Sequence, residues 1–275
     1  MGLCDLHIHS YYSDGTFSPG EIIEKASEKN LTAISITDHD EVKAVEIAKF
    51  LGKKVGILVI SGIELSAEFN GRDVHILGYL FNEKDEKLLI KLKEIREYRE
   101  IRAKEILSKL RENGIHIDFS FVKNIAGRGA IGRPHIAQAM LEKGSIINYK
   151  EAFIKYIGNG KPCNVPKYRL GIDEAIELLK NADGGIPVLA HPGNIGDDSI
   201  VEQLLTFPFA GIEVWHPDHS SQQIKKYLSI AEHKSLLTTG GSDNHGNRPT
   251  KAPIGGIIVD STVVDSLIEY KDAHL

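Results

Sequence analysis

Short apolar runs alternate with helical segments along most of this 275-residue chain, and that alternation limits the folds open to it. Candidate strands are 4–9, 33–37, 56–62, 74–80, 186–190, 211–215 and 236–240. Between them, 19–29, 42–51, 172–181 and 221–233 carry apolar residues every three or four positions, the spacing of one helix face. Asp183, Gly184 and Gly185 stop the third of these helices. Strands alternating with helices predict a parallel sheet or barrel with right-handed crossovers. Asn70-Gly71 is a hairpin turn between alternating segments, so the fourth strand is expected to return antiparallel from 65–69.

Residues from about 82 to 165 break this rhythm. Residues 85–113 read as one long charged helix with Leu88, Leu92, Ile95, Ile106 and Leu110 on one face and Gly114 as its stop. Shorter helices follow at 119–125, 134–143 and 149–157. The expectation is an α/β core made of 1–82 and 166–275, with a helical insertion at 83–165. Apolar residues at 41% and charged residues at 26% exclude a disordered, collagenous or coiled-coil chain. Two cysteines, Cys4 and Cys163, are too few for a disulfide framework and fit a reducing compartment. No run reaches the ~20 apolar residues of a membrane helix, and MGLCDLHIHS lacks a basic region leading into an apolar one. The expected location is the cytoplasm. A net charge of −5 argues against a broad groove for long duplex nucleic acid.

Twelve histidines are the compositional oddity, and half of them fall at one end of the candidate strands. Strand one ends DLHIHS. Side chains two apart on a strand share a face, so His7 and His9 make a metal half-site. Strand two ends ITDHD and offers His39, strand three ends SGIELS and offers Glu64, and strand four contains His75 in DVHILGY. Strand five ends LAHPGN with His191, the last strand ends GGSDNHG with Asp243 and His245, and Asp14 follows strand one in SYYSDGT. These residues gather on the carboxyl rim, where barrels build active sites. Helix caps and buried core histidines would explain single members, not six histidines on one rim. Imidazole and carboxylate donors without thiolate favour Mn²⁺, Zn²⁺ or Fe²⁺, with Mn²⁺ preferred.

In order along the chain, DLHIHS, TDHD, GIE, AHPG and GSDNH match the motifs of the polymerase-and-histidinol-phosphatase (PHP) superfamily of metal-dependent phosphoesterases. The chain resembles that family over nearly its whole length. It is most similar to a branch with a helical insert after the fourth strand, which acts on nucleoside 3′,5′-bisphosphates and the 5′ ends of short RNA. GIEVWHPDHS and TTGGSDNHG also look like that branch. The resemblance implies a distorted (β/α)7 TIM-like barrel with three divalent metal ions. It implies a first ion on His7, His9, Glu64 and Asp243, a second shared by Glu64 with His75 and His191, and a third on Asp14, His39 and His245. Asn244 stands where the family often has an aromatic. Six positive charges against three carboxylates leave the centre at about +3, so phosphate would be held by metal rather than by a basic surface. The expected chemistry is attack on phosphorus by a hydroxide bridging two ions ~3.5–4 Å apart. His191, Glu64 and Asp243 form the expected catalytic set, and His191 or a bound water protonates the leaving alcohol.

Substrate contacts are expected around GRGAIGRPHIAQ. Its glycines spell a dinucleotide-binding pattern, but no strand precedes it and no βαβ unit surrounds it. Pro134 opens a helix, and a helix N-terminus beside arginine suits an anion. In the resembled branch this motif contacts substrate phosphate, so Arg133 and His135 are the expected phosphate ligands, with an insert-to-core salt bridge as the alternative. Arg128 lies in the same stretch. His216 and His219 follow strand six as pocket residues or exposed loop histidines, and Trp215 is expected to pack at a strand end rather than stack on a base. Lys161 and Lys167 add positive potential where the insert rejoins the core; Cys163 beside them is expected to be inert. Arg96, Arg99, Arg102 and Arg111 of the long helix stand among nearly as many acids, the composition of a solvated face, with an RNA-contacting surface as the alternative.

The expected protein is thus a phosphoesterase for a small phosphorylated nucleotide or a short RNA 5′ end, with no membrane and no obligate protein partner evident. A histidinol-phosphate phosphatase of the same superfamily and a non-catalytic metal-binding module are the alternatives.

Overall fold

A computed structural model of the chain describes residues 2–127, 129–166, 168–247 and 252–274; Arg128 and Lys167 lie outside them. β1 (Leu3–Ile8), β2 (Leu31–Ile36) and β3 (Leu58–Phe69) run parallel, joined by α1 (Pro19–Glu28) and α2 (Lys43–Val55). The start of α1 is fixed locally. Ser18 Oγ accepts from the Glu21 N–H while the Glu21 carboxylate accepts from the Ser18 N–H, a capping box with proline in the first turn.

β3 runs unbroken through the two segments expected as separate strands, 56–62 and 65–69. It then turns at Asn70-Gly71 into antiparallel β4 (Arg72–Tyr79), with Phe69 facing Arg72. Both turn residues have positive φ, 50° and 75°, which Asn and Gly tolerate and which matches the twist of the flanking strands. Because β4 is antiparallel, His75 lies near its amino end. The expectation that every candidate ligand follows a strand's carboxyl end is therefore corrected for His75, which reaches that rim by running against its neighbours.

After the insertion and α7 (Ile172–Asn181) come β5 (Ile186–Leu189), β6 (Gly211–Trp215) and β7 (Leu237–Gly240), mutually parallel. They are joined by the unanticipated α8 (Asp198–Leu204) and by α9 (Ser221–Lys234). β8 (Val259–Asp260) and α10 (Thr262–His274), also unanticipated, complete the described elements. The sheet order is β7-β6-β5-β4-β3-β2-β1-β8.

The sheet curls until its ends meet. The Asp243 N–H donates to His7 O (2.8 Å) and the His9 N–H to Asn244 O (2.9 Å), a parallel bridge of Ile8 with Asn244. Gly241 permits this closure: a Cβ there would lie 2.4 Å from the His7 nitrogen. Lower on the same edge, β8 pairs antiparallel with Leu3 and Cys4. Seven strands make the distorted barrel, as expected, and an eighth, the short β8, covers the rest of the β1 edge, which would otherwise expose unpaired backbone.

The insertion has an apolar cluster of its own. Ala103, Ile106, Leu107 and Leu110 of α3 (Glu86–Glu112) pack with Val122 of α4 (Phe119–Ala126) and with Ile136 and Met140 of α5 (Arg133–Glu142). Leu88, Leu92 and Ile95 of the same helix pack instead with Ile63, Leu65, Ile172 and Ile176. One helix thus serves both cores. The helix expected at 149–157 is a single turn, α6 (Tyr149–Glu151), running into a π-helical stretch at Ala152–Ile157. Among the described residues, no helix is long and apolar enough to cross a membrane.

Candidate metal centre

The carboxylate of Glu64, buried near the end of the barrel, turns its two oxygens to two sets of imidazoles. Oε1 lies 2.8 Å from His75 Nδ1 and 2.9 Å from His191 Nε2. Oε2 lies 3.2 Å from His9 Nε2, 3.2 Å from His39 Nδ1 and 3.4 Å from His7 Nε2. Asp243 Oδ1 is 3.0 Å from His9 Nε2 and 3.3 Å from His7 Nε2. On the other side of His9, Asp14 Oδ1 is 3.3 Å from His245 Nε2 and 3.9 Å from His9 Nδ1. All nine residues singled out from the sequence therefore lie in one cluster. Their donor atoms converge within 4.8 Å in three groups: His7, His9, Glu64 and Asp243; His9, Asp14, His39 and His245; His39, Glu64 and His75. His9 offers one nitrogen to each of the first two groups, and His191 reaches the cluster through Glu64 Oε1.

Backbone extensions of the strands aim these side chains. The Glu64 N–H donates to Asp38 O and the Asp40 N–H to Glu64 O, so the segment after β2 continues the sheet and carries His39 inward. Asp38 Oδ1 accepts from the Ser10 N–H (2.7 Å) and Ser13 Oγ (2.5 Å), and its Oδ2 from Ser10 Oγ (2.5 Å), which fixes the loop bearing Asp14. Asp40, His191 and Asp243 all have positive φ, 51°, 24° and 49°. Such backbone strain in non-glycine residues collects at functional sites, where the surrounding structure holds it in place.

Four side chains act behind the cluster, and sequence reasoning missed this role for each. Glu213 is fully buried; its Oε1 accepts from His7 Nδ1 (2.9 Å) and its Oε2 from the His191 N–H (2.7 Å). The clue lay in GIEVW, where an acid stands between Ile212 and Val214 on an interior strand and so requires a buried partner. His216 Nδ1 accepts from the Asp218 N–H, which leaves Nε2–H to donate to Asp243 Oδ2 (3.3 Å). His219 Nδ1–H donates to Val214 O (2.8 Å) while its Nε2 accepts from the Gly193 N–H (3.1 Å). Both histidines are buried, which corrects the exposed-loop alternative. Asp5 accepts from the Ser242 and Gly255 N–H groups, tying the segment before Asp243 to β1.

The electrostatics follow from this crowding. Burial opposes ionisation of Glu64, but His39, His75 and His7 overcome it and hold the carboxyl well below the usual carboxylate range. Burial likewise opposes charge on His9, yet Asp243 and Glu64 carry it up to about 10. His39, where burial dominates, is pushed down to about 3.

The residues fit divalent ions. The donors are imidazole and carboxylate throughout. Buried His9 Nδ1, His39 Nδ1, His75 Nδ1 and Asp14 Oδ1 make no hydrogen bond, although polar atoms that deep are ordinarily satisfied. With Nδ1–H committed to Glu213, His7 turns the lone pair of Nε2 toward His9 Nε2, 3.2 Å away. Imidazole nitrogens and carboxylate oxygens converging in this way are the donors a divalent ion would take.

Two adjoining hollows open beside the cluster. One, of ≈ 330 Å³, is lined by Glu64, His75, His191, Asp243, His245 and Arg133. The other, of ≈ 180 Å³, is lined by Ser13, Asp14, His39, Ser66 and three arginines, Arg99, Arg102 and Arg133. The solvated face expected for the long helix is therefore corrected at Arg99 and Arg102. Arg99 pairs with Asp40 and donates to Ser66 Oγ (3.0 Å), and Arg102, 6% exposed, donates from Nε to Val165 O (2.8 Å). Burial, with Arg133 and Arg99 nearby, pushes Arg102 down to about 10, still cationic at neutral pH. Arg133 donates to Asn159 Oδ1 (2.9 Å) and lies 3.4 Å from Asp73. His135 is buried, and its Nδ1 accepts from the Gly132 N–H (3.1 Å) at the start of α5. Trp215 packs against two apolar clusters at the end of its strand.

Comparison with known proteins agrees with this geometry. The PHP domain matches residues 5–161. A 5′-3′ exoribonuclease of Haemophilus influenzae is 36% identical over 68% of this chain and 68% of its own. A 3′,5′-nucleoside bisphosphate phosphatase of Chromobacterium violaceum is 32% identical over 89% of this chain and 88% of its own. A phosphoribosyl 1,2-cyclic phosphate 1,2-diphosphodiesterase of Eggerthella lenta is 31% identical over 88% of this chain and 94% of its own.

Proposed function

The chain belongs to the PHP domain family of metal-dependent phosphoesterases, and from that premise we propose that it removes the 3′-phosphate of nucleoside 3′,5′-bisphosphates and trims short RNA from the 5′ end. The observation that carries this is the pair of adjoining hollows, one facing the carboxylate and imidazole cluster and one facing three arginines. A bisphosphate has one phosphate for each; a simple monoester would leave the arginine hollow without an anion. Arg133 holds the non-reacting phosphate, since a guanidinium can grip a phosphate with two parallel charge-assisted hydrogen bonds, and His135 supports it from the first turn of α5.

Three divalent ions, Mn²⁺ by preference, complete the reading. His7, His9, Glu64 and Asp243 would hold one, Glu64, His75 and His191 a second, and Asp14, His39 and His245 the third. Bound there, such ions would supply an activated water and neutralise the charge that builds on phosphorus. Glu64 and Asp243 would keep those positions fixed; His191 Nε2, facing Glu64 Oε1, would be committed to the second ion, so a water in the larger hollow, which His191 lines, gives the leaving alcohol its proton. Residues 83–165 act as an inserted substrate-binding unit on the core of 1–82 and 166–275. Both cysteines are free and buried, which suits the cytoplasm.

A second reading, hydrolysis of a ribose cyclic phosphodiester, is favoured by the similarity to the Eggerthella lenta protein over most of both chains. The test follows phosphate release by the Mn²⁺-reconstituted protein from adenosine 3′,5′-bisphosphate and histidinol phosphate, and ring opening of a ribose 1,2-cyclic phosphate to its monoester by ³¹P NMR. Preference for the bisphosphate is expected. Preference for either of the others, by tenfold or more in kcat/KM, overturns the specificity argument and leaves the metal chemistry standing.

A further inference from the structure

Alone among the seven strands of the ring, β6 supplies none of the nine residues of the cluster, yet its segment reaches three of them from behind, His7, His191 and Asp243. Glu213 accepts from His7 Nδ1 with one oxygen and from the His191 N–H with the other. His216 donates to Asp243. His219 accepts from the Gly193 N–H and so anchors the turn that follows His191. We propose that β6 and its following turn form a rigid frame in which Glu213 and His216 are positioning residues: they set the tautomer of His7, the strained backbone of His191 and the carboxylate plane of Asp243.

The chemistry supports a frame rather than a buried ion pair kept for stability. A buried carboxylate is costly, and replacing such a pair with apolar side chains is often neutral or stabilising, so stability alone is weak reason to keep one. Glu213 does what an apolar residue could not. By accepting from Nδ1–H it leaves the His7 Nε2 lone pair directed at the cluster, and it holds a second residue, His191, at φ 24°. His216 acts the same way on Asp243, fixing Oδ2 so that Oδ1 points at His7 and His9. The inference rests on the metal-centre reading, and its test separates the two.

Zinc affinity, by competition with a chromogenic chelator, and zinc count after dialysis are measured on the full chain as wild type, Glu213→Gln and His216→Phe. In Glu213→Gln the side-chain amide oxygen can still accept from the His191 N–H, but the amide NH2 group then meets His7 Nδ1–H. Zinc binding in this variant is expected to weaken about 10–100-fold, with kcat falling and KM for adenosine 3′,5′-bisphosphate held within about twofold. In zinc-loaded wild type, ¹⁵N-histidine spectra are expected to show His7 protonated on Nδ1. A lowered Tm with unchanged zinc affinity and count in both variants overturns the frame, since that is what a merely structural role would give. If Glu213→Gln does not fold, the wild-type spectrum decides, and His7 protonated on Nε2 overturns it. Wild type that binds neither zinc nor Mn²⁺ overturns the metal centre, and the frame with it.

Discussion

Asp40 sits where the loop carrying His39 meets the inserted helix. It is fully buried, accepts from the Ser66 N–H (2.9 Å) and pairs with Arg99. Burial alone would raise its pKa, but Arg99 and the Ser66 amide bring it below the ordinary value of 3.8. A carboxyl depressed by folding stabilises the fold above its unfolded pKa, and that contribution is lost as pH falls through the folded value. Asp40→Asn should therefore cost about 3 kcal/mol at pH 7, where it strands a guanidinium in the interior. The gap from wild type should close as the carboxyl protonates below pH 3.8. Urea melts of both proteins across that range check the sign; a gap independent of pH would mean the ion pair is not its source. At Arg133 the expected effect is on binding. Arg133→Ala should raise KM for a bisphosphate about 10–100-fold, the loss of one or two charge-assisted hydrogen bonds, while kcat changes little. Equal loss in kcat and kcat/KM would place Arg133 in the chemistry instead.

At the scale of elements, α3 is the part on which both bodies depend. Leu110, fully buried, belongs to the apolar cluster of the insertion, and Arg102 projects from the same helix into the arginine hollow. Leu110→Ala should cost about 2–5 kcal/mol and loosen the insertion first. Hydrogen exchange should accelerate through 103–165 while the ring strands stay protected, and uniform acceleration would show that the two cores unfold as one. The same helix marks how far the sequence was legible. Its span, its stop and its apolar face could be read because apolar residues recur every three or four positions at Leu88, Leu92 and Ile95 and again at Ala103, Ile106 and Leu110. Which of its arginines turned inward could not, since that depends on where the insertion packs. The ring strands and the Asn70-Gly71 hairpin were likewise legible from local pattern, whereas β8, two residues long, has no period to detect. The nine clustered residues stood out because imidazoles and carboxylates recurred at successive strand ends. Glu213 did not, because a lone acid in an apolar strand shows its meaning only once its partners across the barrel are known.

The whole molecule gathers six histidines and three carboxylates on one rim, and the consequence is a stability that falls with rising pH in the metal-free chain and is held level by bound metal. In the metal-free protein His9 is carried up to about 10 by Asp243 and Glu64 against the effect of burial. A histidine raised by folding gives its full stabilisation below the unfolded pKa near 6.5, and that stabilisation is lost as pH rises toward the folded value. The metal-free chain should therefore grow less stable between pH 6.5 and 9. Divalent ions compete with those same protons, so their binding strengthens over the range in which the apo form weakens. An ion present at about 100 times its Kd adds about 2.7 kcal/mol, worth roughly 5–10 °C in a chain of this size. The Tm difference between Mn²⁺-loaded and chelator-treated protein should consequently widen from pH 6.5 to pH 9, and activity should vanish on chelation and return with Mn²⁺. Thermal melts at fixed free Mn²⁺ test it directly: a difference that stays constant or narrows with pH would mean that the ions do not replace protons on these histidines, and the cluster would have to be held together by its own ion pairs.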